Sequence, residues 1–307
     1  QSIGAEIRGA DLSRRLSDAD TESLHKGLLD HHVVFFRDPS LSPESHLALA
    51  RSLGELDAHP FGRHVPGHPD VGLLEQTEPQ RDGANRWHTD STFMQKPPKY
   101  VVLRAVELPA NGGDTCWASM HAAFELLSAP IQRTLEELTA SHDISGPLIR
   151  AIAGGHSVGN IDEVRAQWPT LSHPVVCRHP ETGRKQLYVN SNFTTHIEGV
   201  SEAESDALLS FLFAWVASPE IQVRFQWAPG SVAIWDNRCT QHHVLNDFEG
   251  ERVIQRVTVM GDKVDAAEPP RYSPFDEKFS AATWLDQPLK QFLRNRDALD
   301  FIPPTGE

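Results

Sequence analysis

The sequence has 307 residues, 39% of them hydrophobic and 23% charged, which is the composition of an ordinary globular protein rather than of a disordered chain. The formal net charge of -14, without any run of Lys or Arg, argues against a nucleic-acid partner and favours a small-molecule substrate. Three widely spaced cysteines form no disulfide framework, and no apolar stretch is long enough to span a membrane, so we expect a cytoplasmic protein without membrane contact.

The N-terminal segment is predicted to form a strand, a helix, a second strand and a second helix. Residues 3–9 alternate between apolar and polar positions, and Ser17 is placed to cap an amphipathic helix. The apolar run at 33–36 is typical of a buried strand. Ser42 is followed by proline, which starts the next helix. These elements are interpreted as scaffold.

Many short strands follow, and their number indicates a sandwich or a barrel. A helix that begins at Ser201 has Glu204 in position to complete a capping box, and we expect it outside the sheet. The predicted strands are 71–74, 100–106, 114–117, 173–178, 186–189, 223–227, 231–235 and 253–260.

The chain shows no repeat and no linker, so residues 1–262 are predicted to form one domain. Residues 263–307 form a Pro-rich C-terminal extension with apolar positions around Trp284 and Leu289, which favours a helix docked on the domain or at an oligomer interface. The segment 148–167 is interpreted as a loop whose glycines would allow it to act as a lid, with an ordinary surface loop as the alternative.

A possible metal site is spread over two distant motifs. In Trp-His-Thr-Asp, His88 and Asp90 are two residues apart, so their side chains leave an extended chain on the same face. His242 follows about 150 residues later, after an apolar strand. Two histidines and a carboxylate leave coordination positions open for a 2-oxo acid and O2. The alternatives are a histidine that bonds to Asp90, and a strand-edge pair in which His242 or His243 points inward.

Arg256 follows His242 by 14 residues on the last predicted strand. A hairpin would return its guanidinium to the metal, where it could clamp a carboxylate with two hydrogen bonds. A lone strand arginine is more often exposed, but apolar neighbours favour an inward side chain that needs an anionic partner.

These motifs together resemble the taurine dioxygenase family. The resemblance extends to about residue 263 and is carried by WHTDSTF, by the GGDT that ends at Thr115, by WDNRCTQH and by RVIQRVTVMGD. It implies a mainly β fold with flanking helices, namely a double-stranded β-helix, also called a cupin-like jelly roll. It also implies Fe(II) bound by His88, Asp90 and His242, with 2-oxoglutarate and O2 as cosubstrates.

The same resemblance assigns cosubstrate and substrate residues. Arg256 matches the family arginine that binds 2-oxoglutarate, Arg252 matches another arginine of that motif, and Thr115 matches a threonine that contacts the same carboxylate. The alternative for Thr115 is an ordinary strand threonine. The resemblance further places His59, Gly62 and Ala84 in the substrate pocket, and we expect Phe193 to form an apolar wall there.

Two of these positions differ from the taurine enzyme of the family, since Gly62 replaces a tyrosine and Ala84 an asparagine. Smaller side chains predict a substrate bulkier than taurine. The resemblance implies hydroxylation of an aliphatic C–H bond in a small anion, with C–S or C–O cleavage where that carbon bears a sulfonate, sulfate or aryloxy group. For His59 the alternative is a loop histidine before a proline.

Rival interpretations are a non-catalytic metal-binding barrel, a zinc-dependent hydrolase, and a tailoring hydroxylase that acts on an amino acid or a natural product. The resemblance also leads us to expect a homo-oligomer.

Overall fold

The structure is a computed structural model that describes residues 3–37, 41–57, 63–76, 85–153 and 160–267. The predicted pocket residues His59, Gly62 and Ala84 lie outside the described residues, as does the expected C-terminal helix around Trp284.

The described elements alternate between short strands and short helices. The helices are α1 (Asp18–His31), α2 (Pro43–Leu53), α3 (Met120–Glu125), α4 (Ala129–Glu136), α5 (Ser145–Ala153), α6 (Ile161–Gln167) and α7 (Glu202–Val216), with a 3-10 turn at Pro219–Ile221. The strands are β1 (Ala5–Glu6), β2 (Val33–Phe36), β3 (Leu56–Asp57), β4 (Arg63–Val65), β5 (His68–Gln76), β6 (Tyr100–Glu107), β7 (Thr115–Ser119), β8 (Thr139–His142), β9 (Leu171–Pro174), β10 (Val176–Arg178), β11 (Lys185–Leu187), β12 (Thr194–Ile197), β13 (Gln222–Phe225), β14 (Val232–Asp236), β15 (Thr240–Val244) and β16 (Arg252–Val259).

The largest sheet of the described chain has the order β1-β2-β14-β6-β16-β5-β4, with β3 paired to β16. Its strands β2 and β14 are buried along their whole length, because both of their faces are covered. In β14, Val232 and Ile234 pack with α1 and α2, whereas Ala233 and Trp235 point to the opposite side. The alternation follows from the two-residue period of a strand. It explains why this strand has an apolar run rather than a polar and apolar alternation.

A smaller sheet, in the order β13-β7-β15, faces the inner side of the large sheet. Trp117, Phe225 and Trp227 from this smaller sheet and the chain that follows it pack against Trp235 and Ile254 of the large sheet. Burial of each such side chain stabilises the fold by about 1.5–3 kcal/mol. Two facing antiparallel sheets with helices outside form the mainly β jelly roll that the resemblance implies.

The remaining helices and strands form a second apolar layer. Helices α3 and α7 pack on β8, β11 and β12. Ser201 caps α7 as expected, because its side chain accepts the N–H of Glu204 while that glutamate accepts the N–H of Ser201. Within the described ranges, no helix is long and apolar enough to cross a membrane.

Two sequence-based expectations were wrong in detail. The segment 148–167 is not a plain loop, because its described parts belong to α5 and α6. Pro147 is tolerated because it lies in the first turn of α5, where backbone N–H groups have no helical partner. The expected strand 173–178 is divided between β9 and β10 at Val175, whose N–H donates to Leu138.

Candidate metal centre

The structure brings His88, Asp90 and His242 together in a buried cluster, here called the triad. One potential ligand atom from each residue lies within 4.8 Å of the others. The backbone aligns the two histidines, because His88 N–H donates to the His242 carbonyl at 3.1 Å and His242 N–H donates to the His88 carbonyl at 2.8 Å. The two ring centroids are 4.2 Å apart. An antiparallel β-bridge therefore brings His88 and His242 together although they are far apart in the sequence.

Asn237 fixes the backbone of the carboxylate ligand. Its Oδ1 accepts the N–H of Asp90 at 2.9 Å, and its Nδ2 donates to the carbonyl of Asp90 at 3.1 Å and to that of Pro98 at 2.9 Å. Asn237 follows β14 directly, in the turn that leads into β15. Asn237 was not among the site residues predicted from the sequence. The sequence signal for such a role was an asparagine at the end of a buried strand, where its side chain commonly bonds to backbone groups.

The orientation of His88 leaves one ring nitrogen free to bind a metal. Its Nδ1 lies 2.7 Å from the carbonyl of Arg86, and a carbonyl can only accept, so Nδ1 carries the proton. The Nε2 of His88 lies 3.5 Å from Oδ1 of Asp90. A backbone carbonyl that holds the distal N–H of an imidazole is the usual support of a metal-ligating histidine.

His242 enters the cluster as a neutral imidazole. Burial lowers its pKa to about 3, and the nearby His88 lowers it further than the carboxylate of Asp90 raises it. The ring lies against Trp235, with centroids 4.7 Å apart. His243 instead contacts Trp87 at 4.3 Å between ring centroids, so the adjacent histidines point to opposite sides of β15.

Asp90 is ionised although burial alone would raise its pKa. The adjacent imidazoles of His242 and His88 and the guanidinium of Arg256 hold the pKa of this carboxyl below its usual range. Within the described chain, Oδ2 of Asp90 and Nδ1 of His242 are buried without a hydrogen-bond partner. Two unpaired buried polar atoms would be costly, about 1–3 kcal/mol each, and a bound cation would satisfy the carboxylate. The residues therefore fit a divalent metal ion.

Arg252 and Arg256 lie on the same face of β16, the face that carries Ile254 into the space between the sheets. Arg252 donates through Nε to the Gly113 carbonyl at 3.3 Å and through Nη1 to Gln76 at 3.0 Å. Burial lowers its pKa to about 10, so it remains charged at neutral pH. Arg256 lies nearer the triad, since Asp90 raises its pKa against the lowering effect of burial.

Thr115 is buried at the start of β7, two residues after Gly113. Its hydroxyl oxygen accepts a hydrogen bond from the indole N–H of Trp227 at 3.0 Å, which leaves the hydroxyl proton available for an acceptor. Because Arg252 contacts Gly113, the guanidinium of Arg252 is held beside the segment that carries Thr115. The structure thus places one cation next to the threonine and a second cation next to the triad.

Phe193 belongs to an apolar cluster with Phe93 and Ile144, and its ring centroid lies 5.3 Å from that of Phe93. Phe93 follows Asp90 by three residues, so this cluster adjoins the triad along the chain. Trp168, at the end of α6, packs against the same cluster. Val164, which lies within the segment 148–167, also packs against this cluster, so that segment contacts the apolar wall predicted at Phe193.

Comparison with known proteins identifies relatives over most of the chain. The family model of the taurine catabolism dioxygenase TauD, TfdA family matches residues 1–258. An alpha-ketoglutarate-dependent sulfate ester dioxygenase of Pseudomonas putida is 37% identical, over 85% of this chain and 87% of the relative. An alkylsulfatase of Acinetobacter baylyi is 36% identical, over 86% of this chain and 84% of the relative.

The solved structure of a taurine dioxygenase from Burkholderia xenovorans is also similar. It has a TM-score of 0.72 and 36% identity, and the match covers 86% of this chain and 89% of that one. The double-stranded β-helix is thus shared with an experimentally determined relative. This chain belongs to the taurine catabolism dioxygenase TauD, TfdA family and is a dioxygenase dependent on alpha-ketoglutarate, that is, on 2-oxoglutarate.

Proposed function

We propose that the triad binds Fe(II) and that the enzyme hydroxylates an aliphatic C–H bond of an alkyl sulfate ester. The observation that carries the proposal is the buried set of two imidazoles and one carboxylate, in which donor atoms lack partners within the described chain. This ligand set suits non-haem Fe(II) oxygenases and leaves positions open for 2-oxoglutarate and O2. When bound, the iron supplies the O2 chemistry that oxidises the substrate carbon.

Two anions, 2-oxoglutarate and the sulfate ester, must bind near the triad, and a different arginine suits each of them. 2-Oxoglutarate carries carboxylates at both ends, so the end that does not meet the metal needs a cation some distance from the triad. Arg252 suits this end, because it is held beside the segment that carries Thr115. A guanidinium and a hydroxyl group can together bind one carboxylate. This division differs from the sequence-based expectation that Arg256 is the main cosubstrate clamp.

Arg256 is the cation placed to meet the sulfate group. Its charge lies close enough to Asp90 for each to shift the pKa of the other, which puts it at the metal end of β16. Its Nε is buried without a partner among the described residues, so the side chain has hydrogen-bonding capacity to offer. A buried guanidinium without a full set of partners is a strong binding site for an oxyanion.

An alkyl chain would lie against the apolar cluster of Phe93, Ile144 and Phe193, which adjoins the triad. Two relatives that are 36–37% identical carry the names sulfate ester dioxygenase and alkylsulfatase, which supports a sulfate ester over a sulfonate or an aryloxyalkanoate. The assignments of His59, Gly62 and Ala84 stay predictions, because these residues lie outside the described ranges.

The proposed reaction balances without an acid or base from the protein. One oxygen atom of O2 enters the substrate as a hydroxyl on the carbon that bears the sulfate, and the other enters succinate as 2-oxoglutarate loses carbon dioxide. The C–O bond to sulfate then breaks, the bonding electron pair leaves with sulfate, and the hydroxyl proton is released as the carbon becomes an aldehyde. Sulfate and succinate should therefore form in equal amounts.

The test is a panel of alkyl sulfates, alkyl sulfonates, aryloxyalkanoates and amino acids, incubated with the enzyme, Fe(II), 2-oxoglutarate and O2. We expect alkyl sulfates to stimulate succinate formation most, with one sulfate released per succinate. Stimulation by another class alone, or hydroxylation of an alkyl sulfate without sulfate release, would overturn the substrate proposal. The absence of succinate with every compound, and in the uncoupled reaction, would overturn the catalytic assignment itself.

A further inference from the structure

A second cluster of metal-binding side chains lies apart from the triad. His32, His121 and Cys239, here called the cysteine cluster, place one potential ligand atom each within 4.8 Å of one another. They come from the residue after α1, the first turn of α3 and the turn between β14 and β15. Their exposed fractions are only 2%, 1% and 1%. Three distant parts of the chain thus converge on a closed interior position.

His32 is the least satisfied member of the cluster. Neither of its ring nitrogens has a hydrogen-bond partner among the described residues, although both are buried. Burial lowers the pKa of His32 to about 4, so the ring is neutral at neutral pH and offers a lone pair. Each unpaired nitrogen is unfavourable in a folded protein, because it has lost its hydrogen bonds to water without gaining others. A ligand that binds the lone pair would remove part of this cost.

The backbone at His32 also has an unusual conformation. This residue caps α1 with φ of 67°, in the region that L residues rarely adopt. Glycine is the usual residue at such a helix end. A histidine held there, with its ring next to that of His121 at 5.2 Å between centroids, supports a role for the ring itself.

His121 is oriented in the same way as His88 of the triad. Its Nδ1 donates to the carbonyl of Lys185 at 2.9 Å, so the proton is on Nδ1 and the lone pair is on Nε2. This is again the backbone support that metal-ligating histidines receive. Burial lowers the pKa of His121 to about 3, which keeps that lone pair unprotonated.

Cys239 completes the set with sulfur. Its only described contact as a donor is a weak one, from Sγ to the Asp236 carbonyl at 3.8 Å. Cys239 is also near a second group, His179 and Asp236, but those two residues are already satisfied. His179 donates to Asp236 at 3.0 Å and accepts two backbone N–H groups, while both oxygens of Asp236 accept from Arg238.

We propose that His32, His121 and Cys239 form a second metal site for a thiophilic d10 ion, Zn(II) or Cu(I). Two imidazoles and a thiolate select such ions over Mg(II) or Ca(II), which prefer oxygen ligands. Binding replaces the thiol proton with the metal, so one proton is released for each ion bound. The ion ties the end of α1 to the start of α3 and to the turn that leads to His242. This proposal does not depend on the proposed function.

Sulfur makes the cysteine cluster distinguishable by spectroscopy. The probe is Co(II), a stand-in for Zn(II), added anaerobically to the full chain with His88→Ala, which removes a triad ligand. We expect a thiolate-to-cobalt charge-transfer band in the near ultraviolet that saturates at one equivalent. The triad has no sulfur and cannot produce this band. The absence of a band would overturn the proposal.

Matched cysteine variants locate the site. Cys239→Ser should abolish the band, whereas Cys116→Ser, which changes another buried cysteine on β7, should retain it. Loss of the band in Cys116→Ser as well, or its persistence in Cys239→Ser, would contradict the assignment. His32→Asn should weaken Co(II) binding by about a hundredfold. Asparagine is chosen because it tolerates the positive φ at this position. An unchanged affinity in a folded His32→Asn protein would also contradict it.

The identity of the ion is resolved by separate titrations with Zn(II) and with Cu(I), followed by native mass spectrometry. Either ion, retained at one equivalent by the His88→Ala protein and lost in His88→Ala/Cys239→Ser, supports the proposal, and the tighter of the two identifies the ion. Equal retention of both ions with and without Cys239 would overturn it.

Discussion

The triad and the cysteine cluster both draw a ligand from the segment that follows β14, yet they suit different metals. Each contains a histidine whose Nδ1 donates to a backbone carbonyl, His88 to Arg86 and His121 to Lys185. The triad adds a carboxylate with an arginine nearby, whereas the cysteine cluster adds a thiol. The supporting hydrogen bonds are alike, so the third ligand determines which ion is preferred.

The charges around the two clusters also differ. Arg252 and Arg256 are buried cations on the face of β16 that points between the sheets, where we propose that they bind the anionic cosubstrate and substrate. The cysteine cluster lies among the residues after α1 and the first turn of α3, next to an ion pair that is already complete. These surroundings support the proposals that the triad binds reactants beside a metal and that the cysteine cluster holds α1, α3 and the turn after β14 together. A measured metal affinity alone would not distinguish these two roles. The carboxylate of the triad and the thiol of the cysteine cluster do distinguish them.

The largest expected effect follows from removal of a triad ligand. His242→Ala should lower succinate formation by more than about a hundredfold, because even the loss of an outer support of a metal ligand costs about 10–100-fold. The measurement is succinate production at saturating Fe(II) and 2-oxoglutarate. His243→Ala is the matched control, since this neighbour contacts Trp87 and faces away from the triad. Equal losses in the two variants would contradict the assignment of the triad.

The next effect separates the two arginines. Arg252→Ala should raise the KM for 2-oxoglutarate by about 10–100-fold, because a charge-assisted hydrogen bond contributes about 1.5–3 kcal/mol. Arg256→Ala should instead raise the KM for the alkyl sulfate by a similar factor. Steady-state kinetics with each substrate varied in turn measures both. The reverse pattern would restore Arg256 as the cosubstrate clamp and overturn the division proposed here.

A smaller effect is expected from the support of Asp90. Asn237→Ala removes the hydrogen bonds that fix the backbone of this ligand, so Fe(II) affinity should fall by about tenfold. Equilibrium titration with Fe(II) under anaerobic conditions measures the change. Asn85→Ala provides the control, because Asn85 lies five residues before Asp90 and outside this hydrogen-bond network. An Asn237→Ala protein that is folded and has unchanged affinity would show that the network does not orient the ligand.

The smallest effect concerns a buried histidine that belongs to neither cluster. Burial lowers the pKa of His46 to about 4, and its Nε2 bonds to the Val102 carbonyl. Below about pH 6.5 the unfolded chain takes up a proton that the folded chain does not bind until about pH 4. The unfolding free energy should therefore fall as the pH decreases through this window, with a share of about 1 kcal/mol per pH unit from His46.

Urea unfolding at about pH 7 and about pH 5.5 tests this share. The stability difference between the two pH values should be smaller in His46→Gln than in the wild type, because glutamine does not titrate. An identical difference in both proteins would exclude His46 as a source of the pH dependence. A metal bound at either cluster would add its own pH dependence, so the measurement is made with a chelator present.

Much of the fold follows from local sequence signals. The caps at Ser17, Ser42 and Ser201 start helices where expected, because each side chain accepts a backbone N–H in the first turn. Helix α5 was missed because a Gly-Pro pair is typical of loops, although proline is acceptable in a first helical turn. Strands β8 and β12 were also missed, since their short polar sequences gain stability from pairing with each other.

The candidate sites differ in how far the sequence predicts them. The triad was accessible because His88 and Asp90 share one motif and the family resemblance adds His242. The cysteine cluster could not be predicted, because its members come from three distant elements and no short motif joins them. The division of roles proposed for Arg252 and Arg256 was also inaccessible to sequence reasoning, since both residues occupy the same face of β16. It depends on the hydrogen bond of Arg252 to Gly113 and on the electrostatic interaction of Arg256 with Asp90.

The most direct test of the triad is anaerobic titration of the wild-type protein with Fe(II) and 2-oxoglutarate. We expect a weak visible charge-transfer band at one equivalent of iron, because the cosubstrate chelates the metal through its oxo acid end. The band should disappear in His242→Ala and persist in Cys239→Ser, whose cluster is separate. A wild-type protein without the band, or a band that survives in His242→Ala, would contradict the account.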